Sequence, residues 1–256
     1  MPIRPSQVLY SAYERRLRRE LEGQQLPNHV AVLADGNRRW ARVNEPGEPL
    51  VAGYRAGAEK LRQFCDWCDD LGIPLVTLWV LSTDNLDRSA DDELGPLLGV
   101  IANLVDDLSA RHPVRLVGAL ELLPAEVAER LRAAEASSTQ HTGMHVNVAV
   151  AYGGRQELRD AVRALLADQA AAGATLAQLA TTLEVDQIEA NLYTSGQPDP
   201  DLIIRTSGEQ RLSGFLMWQS AHSEFYFCEA LWPDFRRVDF YRALRDYGQR
   251  ERRYGL

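Results

Sequence analysis

The segment HVAVLADGNRRW, residues 29–40, joins an apolar run typical of a buried β-strand to a cluster of charged and polar side chains. One carboxylate, Asp35, follows the apolar run and precedes a glycine and two arginines. The segment DLIIRTSGEQRLS, residues 201–213, likewise passes from apolar residues to Arg205 and Arg211, which are interleaved with hydroxyl side chains. Arginines bind phosphate oxygens, and an isolated carboxylate can hold a divalent cation. The two segments therefore predict a site for two phosphorylated groups beside one metal-binding acid.

Strand-like and helix-like segments alternate along the rest of the chain. The predicted strands are 30–34, 75–81, 114–117, 145–152, 202–204, 215–218 and 224–227. The predicted helices are 6–22, 54–71, 91–111, 124–135, 156–170 and 239–252. Strands that are apolar on both faces and separated by helices indicate an α/β fold with a mainly parallel sheet and flanking helices. We assign residues 1–25 to an N-terminal amphipathic helix and residues 26–256 to a single domain.

Polar clusters follow four of the predicted strands. Asp35 follows the first strand, Ser82–Asn85 the second, Gly153–Arg155 the fourth and Arg205 the fifth. Ligands of parallel α/β sheets bind beyond the carboxyl ends of the strands. We therefore expect these clusters to meet at one edge of the sheet.

Composition narrows the classes of partner and compartment. A formal net charge of −8 over 256 residues argues against broad binding to nucleic acid, although a local arginine cluster can still bind a small anion. No run reaches the length of about 18 apolar residues that a membrane span needs. The N-terminus lacks the apolar stretch of a cleavable signal, and three cysteines do not make a disulfide framework. We expect a cytoplasmic protein in which Cys65 and Cys68 are core residues and not a redox or zinc pair.

Each cluster also has a simpler interpretation. The tripeptide at Asp35 is compatible with an ordinary turn, and Ser82–Arg88 with a polar loop that caps the next helix. The arginines at 205 and 211 are compatible with a surface salt-bridge network. Glu224 follows an apolar run, so it is either exposed or helps to hold a cation. The sequence has no P-loop, no G-x-S-x-G elbow and no H-E-x-x-H motif.

Taken in order, these motifs resemble those of the cis-prenyltransferases, also called isoprenyl or undecaprenyl diphosphate synthases. The resemblance runs from Leu26 to the C-terminus. Its motifs are His29–Ala41, Gly53–Ala58, Ser82–Asn85 with Arg88, Asn147–Arg155, Asp199–Glu209 and Trp232–Phe235. The pattern is most similar to that of the actinobacterial short-chain (2Z,6E)-farnesyl diphosphate synthase type.

The resemblance implies a six-stranded, mostly parallel sheet and a homodimer that joins isopentenyl diphosphate to an allylic diphosphate. It implies that Asp35 holds Mg²⁺ and that Glu224 is a second acid associated with the metal. Asp35 and Asn85 would be catalytic. The implied substrate-binding residues are Gly36, Asn37, Arg38, Arg39, Trp40, Ser82, Thr83, Asp84, Arg88, Arg205, Arg211, Ser213, Arg253 and Gly255. In this set Arg205, Arg211 and Ser213 would bind isopentenyl diphosphate, and Arg253 and Gly255 would reach a partner subunit's site.

The chain departs from the family pattern in ways that bear on product length. Leu50 and Tyr54 stand where many members have arginine and histidine, and Arg42 or Arg55 could compensate. Val80 stands where long-chain synthases commonly have a small alanine in the product tunnel, and Leu86 where they have tryptophan. Val80 and Leu86 therefore favour a short product, with geranyl diphosphate as the primer. The alternatives are a long-chain polyprenyl diphosphate synthase, a non-catalytic partner subunit of one, and a nucleotide-binding α/β protein.

The predicted N-terminal helix carries apolar residues on one side and arginines on the other. Such a helix can touch a membrane surface, here at the inner face of the membrane, where hydrophobic products leave. The alternative that we favour is that it packs against the protein itself.

Overall fold

The computed structural model of the chain describes residues 5–87 and 93–250. Within them one six-stranded sheet has the order β3-β4-β2-β1-β5-β6, and every neighbouring pair is parallel. The strands are β1 (His29–Leu33), β2 (Leu75–Trp79), β3 (Val114–Val117), β4 (His145–Ala149), β5 (Leu202–Arg205) and β6 (Glu224–Phe227). The predicted α/β class and single sheet are confirmed, and the sheet is wholly parallel.

Helices connect and cover the strands. They are α1 (Pro5–Leu21), α2 (Asn37–Asn44), α3 (Val51–Asp69), α4 (Gly95–Ser109), α5 (Ala125–Ser138), α6 (Gly154–Ala171), α7 (Leu176–Thr182), α8 (Val185–Glu189) and α9 (Arg237–Gly248). The prediction did not include α2, α7 or α8 as separate helices. All three are short, so the apolar periodicity that identifies longer helices has too few turns in which to show.

The two faces of the sheet bury different sets of side chains. Val30 and Val32 of β1 belong to the larger core, which α1, α3, α4, α5 and α9 cover. Ala31 and Leu33 point to the other face, into a smaller cluster with Tyr152 and Phe215. Because alternate residues of a strand face opposite sides, apolar residues at every position of β1 become buried.

The predicted strand at 215–218 is wrong. These residues form turns, in which Leu216 has a φ of 45°, and Ser213 just before them has a φ of 51°. An extended strand cannot contain such left-handed residues. Phe215 and Leu216 are apolar because they fill the smaller cluster from a loop, and a short apolar run does not by itself distinguish these two cases.

Three further observations concern the helices. Gly53 and Gly57 allow α3 to pack closely on α2: a Cβ at Gly57 would lie 2.8 Å from Cγ of Asn37. The predicted packing role of the N-terminal helix is also seen, since α1 lies against α9 with Leu17 and Leu21 buried. Within the described part of the chain, no helix combines the length and apolarity that a membrane crossing requires.

Cys65 and Cys68 are fully buried in α3, as predicted for core cysteines. Burial raises the pKa of the Cys65 thiol to about 12 and also raises the pKa of Cys68. Both therefore remain protonated at neutral pH, a state in which a thiol is a poor nucleophile and a poor metal ligand.

A buried polar chain lies near the amino ends of the central strands. His29 Nδ1 donates to the Pro198 carbonyl at 2.8 Å, so its Nε2 accepts from Thr77 Oγ1, also at 2.8 Å. Asn147 Nδ2 in turn donates to Thr77 Oγ1 at 3.1 Å. Desolvation lowers the pKa of His29 to about 4, and the neutral ring is therefore the form that the fold accommodates.

The burial of His29 predicts that the free energy of unfolding depends on pH. The variant His29→Gln should weaken this pH dependence. Between pH 6.5 and about 4 the unfolded chain binds a proton at residue 29 and the folded chain does not, so stability falls as the pH falls through this window. The full shift of the His29 pKa corresponds to about 3 kcal/mol in the free energy of unfolding. The free energy of unfolding is measured with urea at pH values from 7 to 4.5. Between these limits it should fall less for His29→Gln than for the wild type. His145→Gln, which removes an exposed histidine from β4, is the control, and equal profiles for the two variants would contradict this assignment.

Candidate functional site

A cavity of about 640 Å³ opens at the carboxyl ends of β1, β2 and β5. Part of its wall is polar and comes from the segments that follow these strands. The polar lining residues are Asp35, Asn37, Arg38, Arg39, Arg42, Ser82, Asn85, Arg205, Glu209, Arg211 and Ser213. The rest of the wall is largely apolar and comes from α3, α4 and the end of β2. The cavity thus joins a charged opening to an apolar chamber.

Asp35 is fixed by its backbone and leaves its carboxylate accessible. Its N–H donates to Thr206 Oγ1 at 3.1 Å, and its carbonyl accepts from Trp232 N at 2.9 Å. The side chain is 39% exposed. The strand end and two neighbouring segments therefore hold the acid at the cavity mouth without covering it.

Arg205, the last residue of β5, brings a buried positive charge to Asp35. Its side chain is only 4% exposed, and its Nη2 lies 3.1 Å from Asp35 Oδ2. Nη1 donates to Ser213 Oγ at 2.9 Å and to the Arg211 carbonyl. Nε is buried and has no hydrogen-bond partner among the described residues. A guanidinium with one buried donor unused is suited to a further acceptor, such as a phosphate oxygen.

The N-terminus of α2 forms another part of the opening. Gly36 precedes this helix with a φ of 111°, and a Cβ at this position would lie 2.9 Å from Leu231 Cδ2. Glycine is therefore required for both conformation and space. The first N–H groups of a helix have no intrahelical acceptors, and the helix dipole favours an anion at this end.

Three arginines project from α2 around this helix start. Arg39 Nη2 lies 3.6 Å from Asp35 Oδ1, and Arg38 Nη1 lies 3.6 Å from Glu93. Arg42 lines the cavity one turn further along, whereas Arg55 is exposed and lies outside the cavity wall. Of the two arginines considered as replacements for the missing family arginine, Arg42 is the one that the structure places at the site.

The structure brings only part of the polar segment after β2, Ser82–Asn85, into the cavity. Ser82 and Asn85 line it. The side chains of Trp40, Thr83, Asp84 and Leu86 lie outside the wall that the described residues form. Trp40 instead donates from Nε1 to Asp234 Oδ1 at 2.8 Å, and Leu86 packs against the larger core. Leu86 lies outside this wall, and its predicted contribution to the tunnel stays a prediction.

Asp35 and Glu224 lie apart within a single chain, and the predicted sharing of a metal ion by these two acids stays a prediction. Glu224 begins β6 and pairs in register with Leu202, whereas Asp35 follows the carboxyl end of β1. Leu202 and Arg205 are three positions apart on β5, which is about 10 Å along the strand. Glu224 forms an ion pair with Arg250 at the amino end of β6. The predicted contributions of Arg88, Arg253 and Gly255 lie outside the described residues.

Val80 lines the cavity, and its predicted limit on product length stays a prediction, whereas most of the apolar wall was not predicted. Val80 and Leu81 come from the end of β2, and α3 adds residues that include Tyr54 and Leu61. On α4, Leu97, Val100, Ile101 and Leu104 line the same wall. The spacing of the α4 residues is the ordinary apolar stripe of a helix, which indicates burial without showing whether a core or a cavity lies opposite.

Trp79 is a lining residue that the sequence analysis missed. Its ring stacks on Phe215 with centroids 5.1 Å apart, and its Nε1 is buried without a partner in the described part of the chain. Its position as the last residue of β2, next to the Ser82 cluster, was a signal that could have identified it.

The residues present fit a divalent cation of the Mg²⁺ type that is shared with a ligand. No group of three or more histidine, cysteine or acidic side chains in the described ranges is arranged to hold a metal. Protein Mg²⁺ sites often use one or two carboxylates and complete the shell with phosphate oxygens and water. Asp35, a partly exposed carboxylate beside arginines that can bind phosphate, provides such a donor.

Comparisons with known proteins agree with this geometry. The family model described as "Putative undecaprenyl diphosphate synthase" matches residues 33–255. A (2Z,6E)-farnesyl diphosphate synthase of Mycolicibacterium smegmatis is 56% identical over 261 aligned positions, covering 100% of this chain and 98% of the relative. The enzyme of the same name from Thermobifida fusca is 56% identical over 96% of this chain and 97% of its own length.

A solved structure extends the comparison to the fold. It is that of lavandulyl diphosphate synthase from Lavandula x intermedia in complex with dimethylallyl diphosphate, which is 33% identical to this chain. The two align with a TM-score of 0.81 over 90% of this chain and 99% of the other. The family model and the relatives with more than half of their residues identical together show that this chain belongs to the cis-prenyltransferase family.

Proposed function

We propose that this cis-prenyltransferase condenses isopentenyl diphosphate with geranyl diphosphate, in the presence of Mg²⁺, to give (2Z,6E)-farnesyl diphosphate. The observation that carries the proposal is the position of Asp35. It lies between Arg39 and Arg205 at the charged opening of a cavity whose remaining wall is largely apolar. A diphosphate with a short hydrocarbon chain has the same division of polarity. Relatives with this product in their names support the chain length.

Two groups of donors support two diphosphate subsites. The start of α2, with Gly36, Asn37 and Arg39, suits the allylic diphosphate, because the first N–H groups of a helix lack intrahelical acceptors and Arg39 lines the same cavity. Arg205, Arg211 and Ser213 suit isopentenyl diphosphate, because two guanidinium groups and a hydroxyl can donate to phosphate oxygens. Arg211 is 64% exposed and forms an ion pair with Glu209. Asp35 contacts the first group through Arg39 and the second through Arg205.

The reaction breaks the C–O bond of the allylic diphosphate, and the electron pair of that bond leaves with the diphosphate. The isopentenyl double bond then forms the new C–C bond, and loss of a proton leaves a cis double bond. Arg39, in the allylic subsite, stabilises the negative charge that develops on the departing diphosphate, a role that needs no protein nucleophile. Asp35, Asn85 and a diphosphate oxygen are the candidate proton acceptors.

Mg²⁺ bound at Asp35 would supply further positive charge to the departing diphosphate. Asp35 itself has two tasks that the geometry supports. It offers an accessible carboxylate oxygen to the cation, and it balances the charge of the buried Arg205. A neutral residue at position 35 would fail at both.

We extend the proposal to the assembly and the location of the enzyme. The enzyme acts as a homodimer, and the exposed Phe227 on the edge strand β6 supports a second copy at this side. It works in the cytoplasm, with transient contact at the inner face of the membrane, and binds no nucleic acid.

The direct test is a product assay with purified protein, Mg²⁺ and labelled isopentenyl diphosphate. Dimethylallyl, geranyl and farnesyl diphosphate are offered in turn, and the dephosphorylated products are sized. We expect one C15 product from geranyl diphosphate, no turnover after chelation of the metal, and a loss on the order of 10²-fold or more in kcat for Asp35→Asn. A long ladder from farnesyl diphosphate would overturn the product length, and no turnover with any primer would overturn the proposed reaction.

Product length should respond to the side chain at position 80. Val80→Ala enlarges the cavity wall at the end of β2 and should shift part of the product to C20 or longer, because the growing chain gains room. Leu86→Ala removes a larger side chain that lies outside the wall and is the matched control. Products from geranyl diphosphate are compared by chromatography. An unchanged C15 product for Val80→Ala, or an equal shift for Leu86→Ala, would contradict the assignment.

A further inference from the structure

The loop at residues 211–216 carries two of the acceptors that orient Arg205, and its own conformation is strained. Ser213 and Leu216 have φ values of 51° and 45°, and Gly214 between them has a φ of 88°. Non-glycine residues in this region cost free energy, and they persist where the surroundings hold them in place. Something outside the loop must therefore fix it.

Two hydrogen bonds join this loop to the segment that connects β4 to α6 and begins α6. Leu216 N–H donates to the hydroxyl of Tyr152 at 3.1 Å, and Gly154 N–H donates to the Gly214 carbonyl at 2.9 Å. The Tyr152 ring also meets Phe215 edge to face, with centroids 6.0 Å apart. Tyr152 and Leu216 are fully buried, so the bond between them is shielded from water.

The Tyr152 hydroxyl is oriented by a buried carboxylate. It donates to Glu157 Oε2 at 2.6 Å, which leaves its oxygen lone pairs directed at Leu216 N–H. The other Glu157 oxygen accepts from Tyr193 N and from Gln219 Nε2, both at 3.0 Å. Glu157 is 1% exposed and lies on α6, away from the cavity wall. Three donors converge on this carboxylate, so its acceptors are committed to holding the loop and its surroundings.

We infer that Tyr152 and Glu157 are positioning residues for the binding of isopentenyl diphosphate. They act through the loop: Glu157 orients the Tyr152 hydroxyl, the hydroxyl holds Leu216, and the loop presents Ser213 Oγ and the Arg211 carbonyl to Arg205. This inference rests on the proposed assignment of Arg205, Arg211 and Ser213 to that substrate. None of these hydrogen bonds involves a residue of the allylic subsite at α2.

Tyr152→Phe tests the inference because it keeps the ring and removes the hydroxyl. We expect the Kd for isopentenyl diphosphate to rise about tenfold, the effect of losing roughly one buried hydrogen bond. The KM for this substrate should rise in parallel, while kcat and the KM for the allylic substrate change less than about threefold, as for a loss of uniform binding. Isothermal titration with isopentenyl diphosphate gives the Kd without requiring turnover.

Tyr193→Phe is the matched control. Tyr193 donates from its hydroxyl to Asp160 at 2.6 Å, a second tyrosine–carboxylate bond to α6 that does not reach the loop. Its Kd for isopentenyl diphosphate should stay within about twofold of the wild type. Glu157→Gln is the second test variant and, like Tyr152→Phe, should raise the Kd for isopentenyl diphosphate. In this variant an NH₂ group replaces one of the two carboxylate oxygens that now accept hydrogen bonds.

The outcomes are separable from those of the proposed function. An unchanged Kd for Tyr152→Phe, an equal rise for Tyr193→Phe, or unfolding of Tyr152→Phe alone would overturn the positioning role. A wild type that binds isopentenyl diphosphate but turns over no primer would overturn the proposed reaction, while the ratio of Kd values would still decide the inference. A wild type that does not bind it would overturn both.

Discussion

The site depends on one constraint, the burial of the Arg205 guanidinium at the end of β5. A charge that is 4% exposed is costly unless it is paired and hydrogen-bonded. Asp35 supplies the opposite charge from the neighbouring strand, and the loop after β5 supplies oxygen acceptors from Ser213 and Arg211. The parallel register that aligns the ends of β1 and β5 makes this pairing possible, because Leu33 lies directly beside Arg205. A diphosphate beside the unused Nε would complete the arrangement, so the same contacts serve both folding and the proposed binding.

The residues that the sequence could identify are those whose position follows from strand ends. Asp35, Ser82 and Arg205 each follow or end an apolar strand, and parallel strands bring their carboxyl ends to one edge. The role predicted for Glu224 came from the family resemblance and not from this reasoning, since Glu224 begins β6 and so lies at the other end of the strands from Asp35. The error at 215–218 arose because apolar residues that fill a cluster from a turn look like a strand until their dihedral angles are known.

Tyr152 and Glu157 illustrate what sequence patterns leave out. They flank Gly153–Arg155, a cluster that was expected at the substrate-binding edge, and neither of them lines the cavity. Their importance rests on a hydrogen-bond chain to a loop about 60 residues further along, and such distant pairings follow from the fold as a whole. The chamber wall on α4 was missed for a similar reason. An apolar helix stripe becomes a limit on product length only when a cavity, instead of another side chain, lies opposite.

The most direct test of the account is a crystal structure of the protein with Mg²⁺, isopentenyl diphosphate and geranyl thiodiphosphate, whose C–S bond resists ionisation. We expect the diphosphate group of isopentenyl diphosphate to lie within hydrogen-bonding distance of Arg205 Nε and Ser213 Oγ. The allylic diphosphate should lie at the start of α2, with the cation between that group and Asp35, and the hydrocarbon chain against Val80 and α4. A diphosphate group bound elsewhere with the Arg205 Nε still unused, or a cation held away from Asp35, would contradict the account.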